Sequence, residues 1–495
     1  MATGTWAPSR ATAATLLAVL VAAASLAIAP APAGADGDRG RESGWSEHES
    51  RQRWGNEFRT WGTARPILRR EIRDIIRSDW AERRDADGAG IDVALVDTGI
   101  APVPGLDDPD LIVNGPDLSL DYQAGVPAGL DAYGHGTHMA SIIGGEGGMA
   151  REARIVNLKV GASDGAVDVS QMIAAIDWAV QHRRDPGLNI RVLSLSGGTD
   201  STQSYLVDPL AHAVESAWHN GIVVVVAAGN SGGPLADPAV DPYVISVGAA
   251  DMVDPRNPFD DQVAPFSAIG GPDRGVDLVA PGVSVLGLRV PGSAIDLANP
   301  GAVVSGSLFR GSGTSQAAAV VAGAAAQLLS DRPELTPDQV KALLLGTARR
   351  LLTAPETGQG EGVLDLRAAL RAPTPVADQA FPTSSGTGSL ELARGGEHLL
   401  AADGTELAGE IDLQGAVWDP TTWAPLASKG TAWDGGDWNG NTWAGATWAA
   451  AGVVEGSPLL GHTWRSSLWT GHTWRSDLWL GHTWRGHTWR YGTWE

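Results

Sequence analysis

The run "IDVALVDTGI" (residues 91–100) decides how this chain folds. From Ile91 to Val96 it is apolar almost without a break, whereas a strand with one wet face alternates apolar and polar residues. A near-continuous apolar run of this length implies a strand covered on both faces. Three more runs share the character: "RIVNLKV" (154–160), "IRVLSLS" (190–196) and "IVVVVAA" (222–228). Between the second and third, Val169, Met172, Ile173, Ile176 and Val180 fall at helical spacing, so "VSQMIAAIDWAVQH" lays one face on the sheet. Farther on, "TPDQVKALLLG" carries Thr336 as cap, Pro337 in the first turn, Gln339 closing a capping box and Gly346 as terminator. Strands alternating with amphipathic helices predict an α/β domain with a mostly parallel central sheet.

The bulk numbers set the frame. At 495 residues the chain has room for one full-sized core and appended regions. A net charge of -22 argues against nucleic acid as a partner, because phosphates would be repelled. There is no Cys, which excludes disulfides, thiol catalysis and Cys-bound zinc. The 64 Gly and 20 Trp point to a biased segment.

Five regions follow from the composition. Residues 1–35 read as a signal peptide: Arg10, then "ATAATLLAVLVAAASLAIA", then the small-residue zone "PAPAGA", so export to the cell surface or medium is expected. Residues 36–84 form a charged N-terminal segment, a candidate short propeptide, with a helical pattern in "PILRREIRDIIRSDW". The α/β domain occupies 85–371. Residues 372–410, opening on "APTPVADQAFPTSSGTGS", read as a linker and a small β-rich piece. Residues 411–495 are a Trp-rich repeat region. There Trp418, Trp423, Trp433, Trp438, Trp443 and Trp448 lie on a five-residue lattice, and "GHTWR" recurs four times from Gly461 on. A five-residue step fits neither a helix face nor a strand face, which leaves a solenoid-like coil or a disordered tail.

Parallel sheets deliver their chemistry beyond the carboxyl ends of the strands. "VALVDTGI" sets Asp97 just past one strand and "VVVVAAGN" sets Asn230 just past another. "DAYGHGTHMASIIGG" places His135 where a Gly-rich loop enters a helix, and in "GSGTSQAAAVVAGAAAQLLS" (311–330) Ser315 opens a helix of small residues. Ser is also a preferred helix N-cap, so Ser315 alone does not separate cap from nucleophile. The set does. A Ser hydroxyl becomes nucleophilic when an imidazole takes its proton, and the imidazole needs a carboxylate on its other nitrogen to hold its tautomer. A tetrahedral oxyanion needs fixed donors, which the Ser315 backbone N–H and the Asn230 amide supply.

These four segments, in the order Asp, His, Asn, Ser, resemble the subtilisin-like serine proteases, or subtilases. "DPAVDPYVISVGAAD" (237–251), "VAPFSAIG" (263–270) and "VDLVAPGVSVLG" (276–287) resemble framework segments of the same family. The resemblance implies a three-layer subtilisin-like fold and a catalytic triad of Asp97, His135 and Ser315, with Asn230 and Ser315 in the oxyanion hole. It implies that Ser194, Leu195, Ser196, Gly197 and Gly198 form an edge strand pairing with an extended substrate. It also implies that Ala227, Ala228 and Gly229 line the pocket for the side chain before the cut. Protein or peptide substrates, broad specificity and no cofactor for catalysis are the corresponding expectations.

The chain departs from the family in three places. Gln316 stands where Met usually follows the nucleophile, and Ala319 stands where the family has Pro. The third departure is the charged N-terminal segment, shorter and more polar than the family's folding-assistant propeptide.

Outside this set, His138 is expected as a structural neighbour, since an isolated His pair lacks further ligands for zinc. The acidic loop with Asp107, Asp108 and Asp110, together with Asp117 and Asp121, offers candidates for a structural calcium ion, against the simpler reading of a solvated loop. The Trp array is expected either to pack on itself or to hold a cell-wall or other surface polymer. The competing function class is a catalytically weak scaffold that binds surfaces through that array.

Overall fold

The computed structural model describes residues 65–121, 126–253, 259–352, 354, 358–396, 398–399, 406–413, 415–433, 437–438, 441–444, 447–448 and 493–494. The four apolar runs become β1 (Asp92–Asp97), β3 (Arg154–Lys159), β4 (Ile190–Leu195) and β5 (Val223–Ala227), and are joined by β2 (Ile112–Asp117) and β6 (Ile245–Asp251). They lie side by side in the order β2-β3-β1-β4-β5-β6, every pair parallel. β7 (Gln262–Val263) runs antiparallel to β6, and β8 (Leu278–Pro281) runs parallel to it. β9 (Val285–Leu288) and β10 (Leu308–Ser312) form a separate antiparallel pair. Short strands β11 (Asp437–Trp438), β12 (Asn441–Ala444) and β13 (Thr447–Trp448) extend the main sheet beyond β2, and β14 (Thr493–Trp494) pairs with β10.

The helices are α1 (Arg69–Ile75), α2 (Asp79–Glu82), α3 (His135–Ile143), α4 (Val169–His182), α5 (Pro209–His219), α6 (Ala294–Ala298), α7 (Thr314–Asp331), α8 (Pro337–Gly346), α9 (Leu366–Arg371), α10 (Leu390–Arg394) and α11 (Pro420–Ser428). α3 and α7 pack on each other, with α7 laid across β4, β5, β6 and β8. α4 and α5 form a second packed pair against β1 and β5. Helices thus cover both faces of a mostly parallel sheet, the three-layer α/β arrangement that the uninterrupted apolar strands require. The small residues of α7 have a packing reason. The helix is buried from Thr314 to Leu329, and a Cβ on Gly323 would come 2.6 Å from the Met149 Cβ.

Two regions differ from their sequence reading. The N-terminal segment reads as charged and polar, yet its Ile67, Ile72 and Ile76 are buried in the main core. Ile67 is tied to the start of β9 by Ile67 N to Ser284 O at 2.8 Å and Leu286 N to Ile67 O at 3.0 Å. Amphipathic spacing hides this role, because the intervening arginines reach outward or to backbone carbonyls, as Arg69 Nη1 does to Ser141 O at 2.7 Å.

The second is the stretch read as a linker. It lies on the domain: Ser384 N donates to both Glu215 carboxyl oxygens at 2.9 and 2.8 Å, and the buried Arg394 guanidinium pairs with Asp168 at 2.7 Å. Among its described residues it carries the helix α10 and a β-bridge at Glu406. Beyond it α11 packs on α5, and Trp418, Trp423, Trp433 and Trp438 are buried in the core of the domain. Residues 1–64, where a signal peptide and the first part of the charged segment are expected, and the "GHTWR" repeats lie outside the described residues.

Candidate active site

The strand order reverses around β1. From it the sheet grows through β3 and β2 on one side and through β4, β5 and β6 on the other, and such a switch point leaves a crevice at the carboxyl ends of the strands. Asp97 is the last residue of β1, and its Oδ1 lies 2.7 Å from His135 Nδ1. The same oxygen accepts from Thr98 N at 2.8 Å. Both side chains are almost fully buried. His135 is the first residue of α3, entered through Gly134 at φ 104°, a left-handed conformation that favours glycine. Gly136 follows because the helix start abuts the turn after β1: a Cβ there would sit 2.1 Å from Gly99 O. The motif "GHGTH" is therefore a close-packing requirement around the imidazole.

Ser315 occupies the first turn of α7, just after β10, and is buried with 4% of its surface exposed. Its Oγ donates to Ser196 O at 3.2 Å, so the hydroxyl rests against the segment that continues β4. Asn230 lies past β5. Its Oδ1 accepts from Thr314 N at 2.7 Å and Thr314 Oγ1 at 2.9 Å, and Thr314 Oγ1 in turn accepts from Gly229 N at 3.2 Å. With its carbonyl end held by the residue before the nucleophile, the amide nitrogen of Asn230 is the end free to donate.

The substrate segment is placed differently from expectation. Ser194 and Leu195 are buried residues of β4, which is flanked by β1 and β5, so neither lies on an edge. Only Ser196, Gly197 and Gly198 run on past the sheet. Thr199 then exchanges two backbone hydrogen bonds with Asp237, both 2.9 Å, and a Cβ on Gly198 would come 2.6 Å from Asp237 O. Ala227 ends β5, Ala228 N donates to Val247 O, and Gly229 follows at φ 105°. These three residues lead from β5 directly to Asn230.

The calcium candidates do not converge among the described residues. Asp107, Asp108 and Asp110 are exposed, and two of them cap their own loop, Asp107 accepting from Gly105 N and Asp108 from Asp110 N. Asp117 is committed to Ser119 and to Gly129 N, and Asp121 to Ser163 and the Lys159 ammonium at 2.9 Å. Among the described residues no three His, Cys, Asp or Glu side chains converge as metal ligands. His138 is fully buried, with Nε2 3.2 Å from Phe309 O, and burial pushes its pKa down to about 3. It is a neutral packing residue against Gly287. Gln316 is fully buried, and among the described residues its amide has no hydrogen-bond partner.

Four residues around the site carry no signal that motif reading exploits alone. Thr314 holds Asn230; Thr98, Asp131 and Lys159 shape the turn after Asp97. Lys159 Nζ donates to Thr98 O and Gly161 O, both at 2.7 Å. Burial alone would lower its pKa, but Asp121, Asp117 and Asp131 outweigh that and raise it, so it stays charged.

The subtilase family, peptidase S8, matches residues 88–386. The chain belongs to the subtilase family. Its members are serine-type endopeptidases, which is the class of this chain. It is 40% identical to the serine protease AprX of Bacillus subtilis over 274 residues, 52% of this chain and 61% of that protein. The match therefore spans about three fifths of the length of AprX. Against subtilisin DY of Bacillus licheniformis the identity is 33% over 306 residues, 60% of this chain and 96% of that one. A crystal structure of a cold adapted subtilisin-like serine proteinase shares 29% identity, with a TM-score of 0.43, covering 56% of this chain and 88% of the other.

Proposed function

We propose that this subtilase is an exported endopeptidase that cuts peptide bonds through an acyl-enzyme on Ser315. The observation that carries the reading is the 2.7 Å contact between Asp97 Oδ1 and His135 Nδ1 at the carboxyl edge of the sheet. A carboxylate on Nδ1 fixes the tautomer in which Nε2 is the basic nitrogen, and α3 packs on the helix that Ser315 opens. His135 takes the hydroxyl proton as Ser315 Oγ attacks the scissile carbonyl, then returns it to the leaving amine. The bond from carbonyl carbon to Oγ forms, the carbon–nitrogen bond breaks, and water reverses the acylation with the same imidazole as base. The Asn230 amide and the Ser315 backbone N–H, at the positive end of α7, stabilise the oxyanion.

Substrates are proteins or peptides. Ser196, Gly197 and Gly198 pair with their backbone, which demands little of sequence and supports broad specificity. Catalysis needs no metal, because the nucleophile, base and oxyanion donors are all side chains or backbone of this chain. The apolar stretch between Arg10 and Pro30 supports export.

A fluorophosphonate probe tests the reading. It labels the folded wild type on Ser315 and spares Ser315→Ala and His135→Ala. An unlabelled, folded wild type that also leaves casein intact overturns it. Trp418, Trp423, Trp433 and Trp438 give no support to a scaffold that presents an aromatic surface, because all four are buried.

A further inference from the structure

Asp131 is buried, carries no role in the acid–base scheme above, and yet has its carboxylate saturated. Thr98 Oγ1 donates to its Oδ1 at 2.9 Å and Gly134 N to the same oxygen at 2.6 Å. Thr137 gives Oδ2 both its N–H at 2.8 Å and its hydroxyl at 2.7 Å. A buried carboxyl group is held only where donors replace its lost water, and here all four come from two short segments. One is the turn directly after Asp97. The other is the first turn of α3, which carries His135.

The two segments are stitched a second time through the same residues. Thr98 Oγ1, having donated to Asp131, accepts from Gly136 N at 2.8 Å, and Thr137 Oγ1 accepts from Ala101 N at 2.9 Å. Thr98 and Gly136 are the immediate neighbours of Asp97 and His135. Moving the turn relative to the helix therefore breaks this lattice before it changes anything else near the couple. Lys159 closes the far side by holding Thr98 O.

We propose that Asp131 is a positioning residue for catalysis: it clamps the turn bearing Asp97 to the helix start bearing His135 and so sets the Asp97–His135 contact. The proposal rests on the reading of Ser315, His135 and Asp97 as the catalytic set. A carboxylate is the group that suits the place, since each oxygen must accept two hydrogen bonds and one pair comes from backbone N–H groups at a helix N-terminus. Asparagine keeps one accepting oxygen and turns the other into a donor facing the Thr137 N–H. Alanine removes both.

The experiment compares wild type with Asp131→Ala, Asp131→Asn and Thr98→Val, each normalised to folded protein by circular dichroism. Displacement of catalytic groups by an ångström is enough to reduce turnover about a hundredfold. The expected order of kcat is wild type, then Asp131→Asn, then Asp131→Ala, the last lower by about ten- to a hundredfold with KM within about twofold. The downfield proton resonance of His135 Nδ1, read by NMR, shifts or broadens in the same order. Should Asp131→Ala not fold, Asp131→Asn and Thr98→Val, which deletes only one hydroxyl, carry the comparison. Unchanged kcat and an unchanged Nδ1 resonance in the folded variants overturn the proposal. A wild type that is folded, shows the resonance and hydrolyses nothing overturns the catalytic reading instead, and the resonance still reports whether Asp131 sets the contact.

Discussion

Buried carboxyl groups stand in two quite different settings in this molecule. At the carboxyl edge of the sheet, Asp131 receives four hydrogen bonds and Asp121 faces the Lys159 ammonium at 2.9 Å. Beneath the C-terminal segment, on the layer formed by α4 and α5, no cation among the described residues pairs with Asp177. Its Oδ2 accepts from the indole N–H groups of Trp423 and Trp438, both at 2.7 Å, and burial pushes its pKa up to about 7. Glu215 nearby is pushed up by burial and by the adjacent Asp241. Hydroxyls, backbone N–H groups and an ammonium thus meet the carboxyls at the edge, whereas two indole N–H groups meet Asp177. The first arrangement surrounds the proposed catalytic couple; the second fastens the C-terminal segment to the domain.

If that division is right, substitutions in the two regions separate activity from stability. The largest effect is expected at Ser315. Ser315→Ala lowers kcat on the order of a million-fold, the size known for subtilisin itself, while the thermal midpoint stays within a few degrees of wild type. Steady-state hydrolysis of a chromogenic peptide and calorimetry on the same sample measure both. An Ala variant that retained substantial turnover would remove the nucleophile from the active edge.

Trp423→Ala should behave in the opposite way. The ring is buried, packs against Trp418 in a tilted pair with centroids 4.9 Å apart, and donates to Asp177. Truncating a buried Trp costs about 3–5 kcal/mol, and here Asp177 loses one of its two donors as well. Denaturant titration should show this loss, while kcat per folded molecule stays close to wild type. The same reasoning predicts that removing everything from residue 411 on destabilises the domain, because it strips Trp418, Trp423, Trp433 and Trp438 from the core. A truncated protein as stable as the full chain would mean that the fastening is dispensable.

The two regions also differ in how much of them could be read from the sequence. The strands were legible because apolar runs such as "IVVVVAA" have no other comfortable place than a covered sheet. The positions of Asp97, His135, Asn230 and Ser315 were legible because each lies at or just past a strand end or in the first turn of a helix, within a recognisable local run. What holds them was not. Thr98, Asp131 and Thr314 act through side-chain contacts that exist only once two segments meet, and an isolated Asp or Thr carries no mark of that.

The reading of Ser194 and Leu195 as an edge strand failed because strand order is a tertiary property: β4 lies inside the sheet. The C-terminal fastening was hidden by distance. Trp423 finds Asp177 across 246 positions of chain, and a five-residue Trp spacing suggests no partner of its own. The same spacing made the segment look detachable.

A smaller effect than at Ser315, still on the active edge, is expected at Asn230. Its Oδ1 is held by Thr314, so Asn230→Ala removes the oxyanion donor and also leaves the Thr314 N–H without its acceptor. The loss in kcat is about a hundred- to a thousandfold, with little change in KM, the pattern of an interaction made only in the transition state. Equal losses through KM would instead place Asn230 in ground-state binding. Compared with Ser315→Ala, this variant still labels with a fluorophosphonate, only more slowly.

The smallest effect sharpens the contrast between charged and protonated carboxyls. Folded Asp177 keeps its proton up to about pH 7, whereas the unfolded side chain loses it near 3.8. Between those values the folded state binds the extra proton, so this group's contribution to stability is full below the lower pH and is lost as pH rises through the upper one. The steepest slope is about 1.4 kcal/mol per pH unit for a single proton. Asp177→Asn keeps an oxygen for the two indole donors, has no charge to bury, and places its amide nitrogen where Oδ1 has no partner among the described residues. Relative to wild type, this variant should therefore gain stability as pH rises from about 4 to 8, with the difference levelling off on either side. Guanidinium melts at four or five pH values measure it. Parallel curves for the two proteins would mean that Asp177 sits ionised under the tryptophans, and the distinction between the two layers would then lie in packing alone.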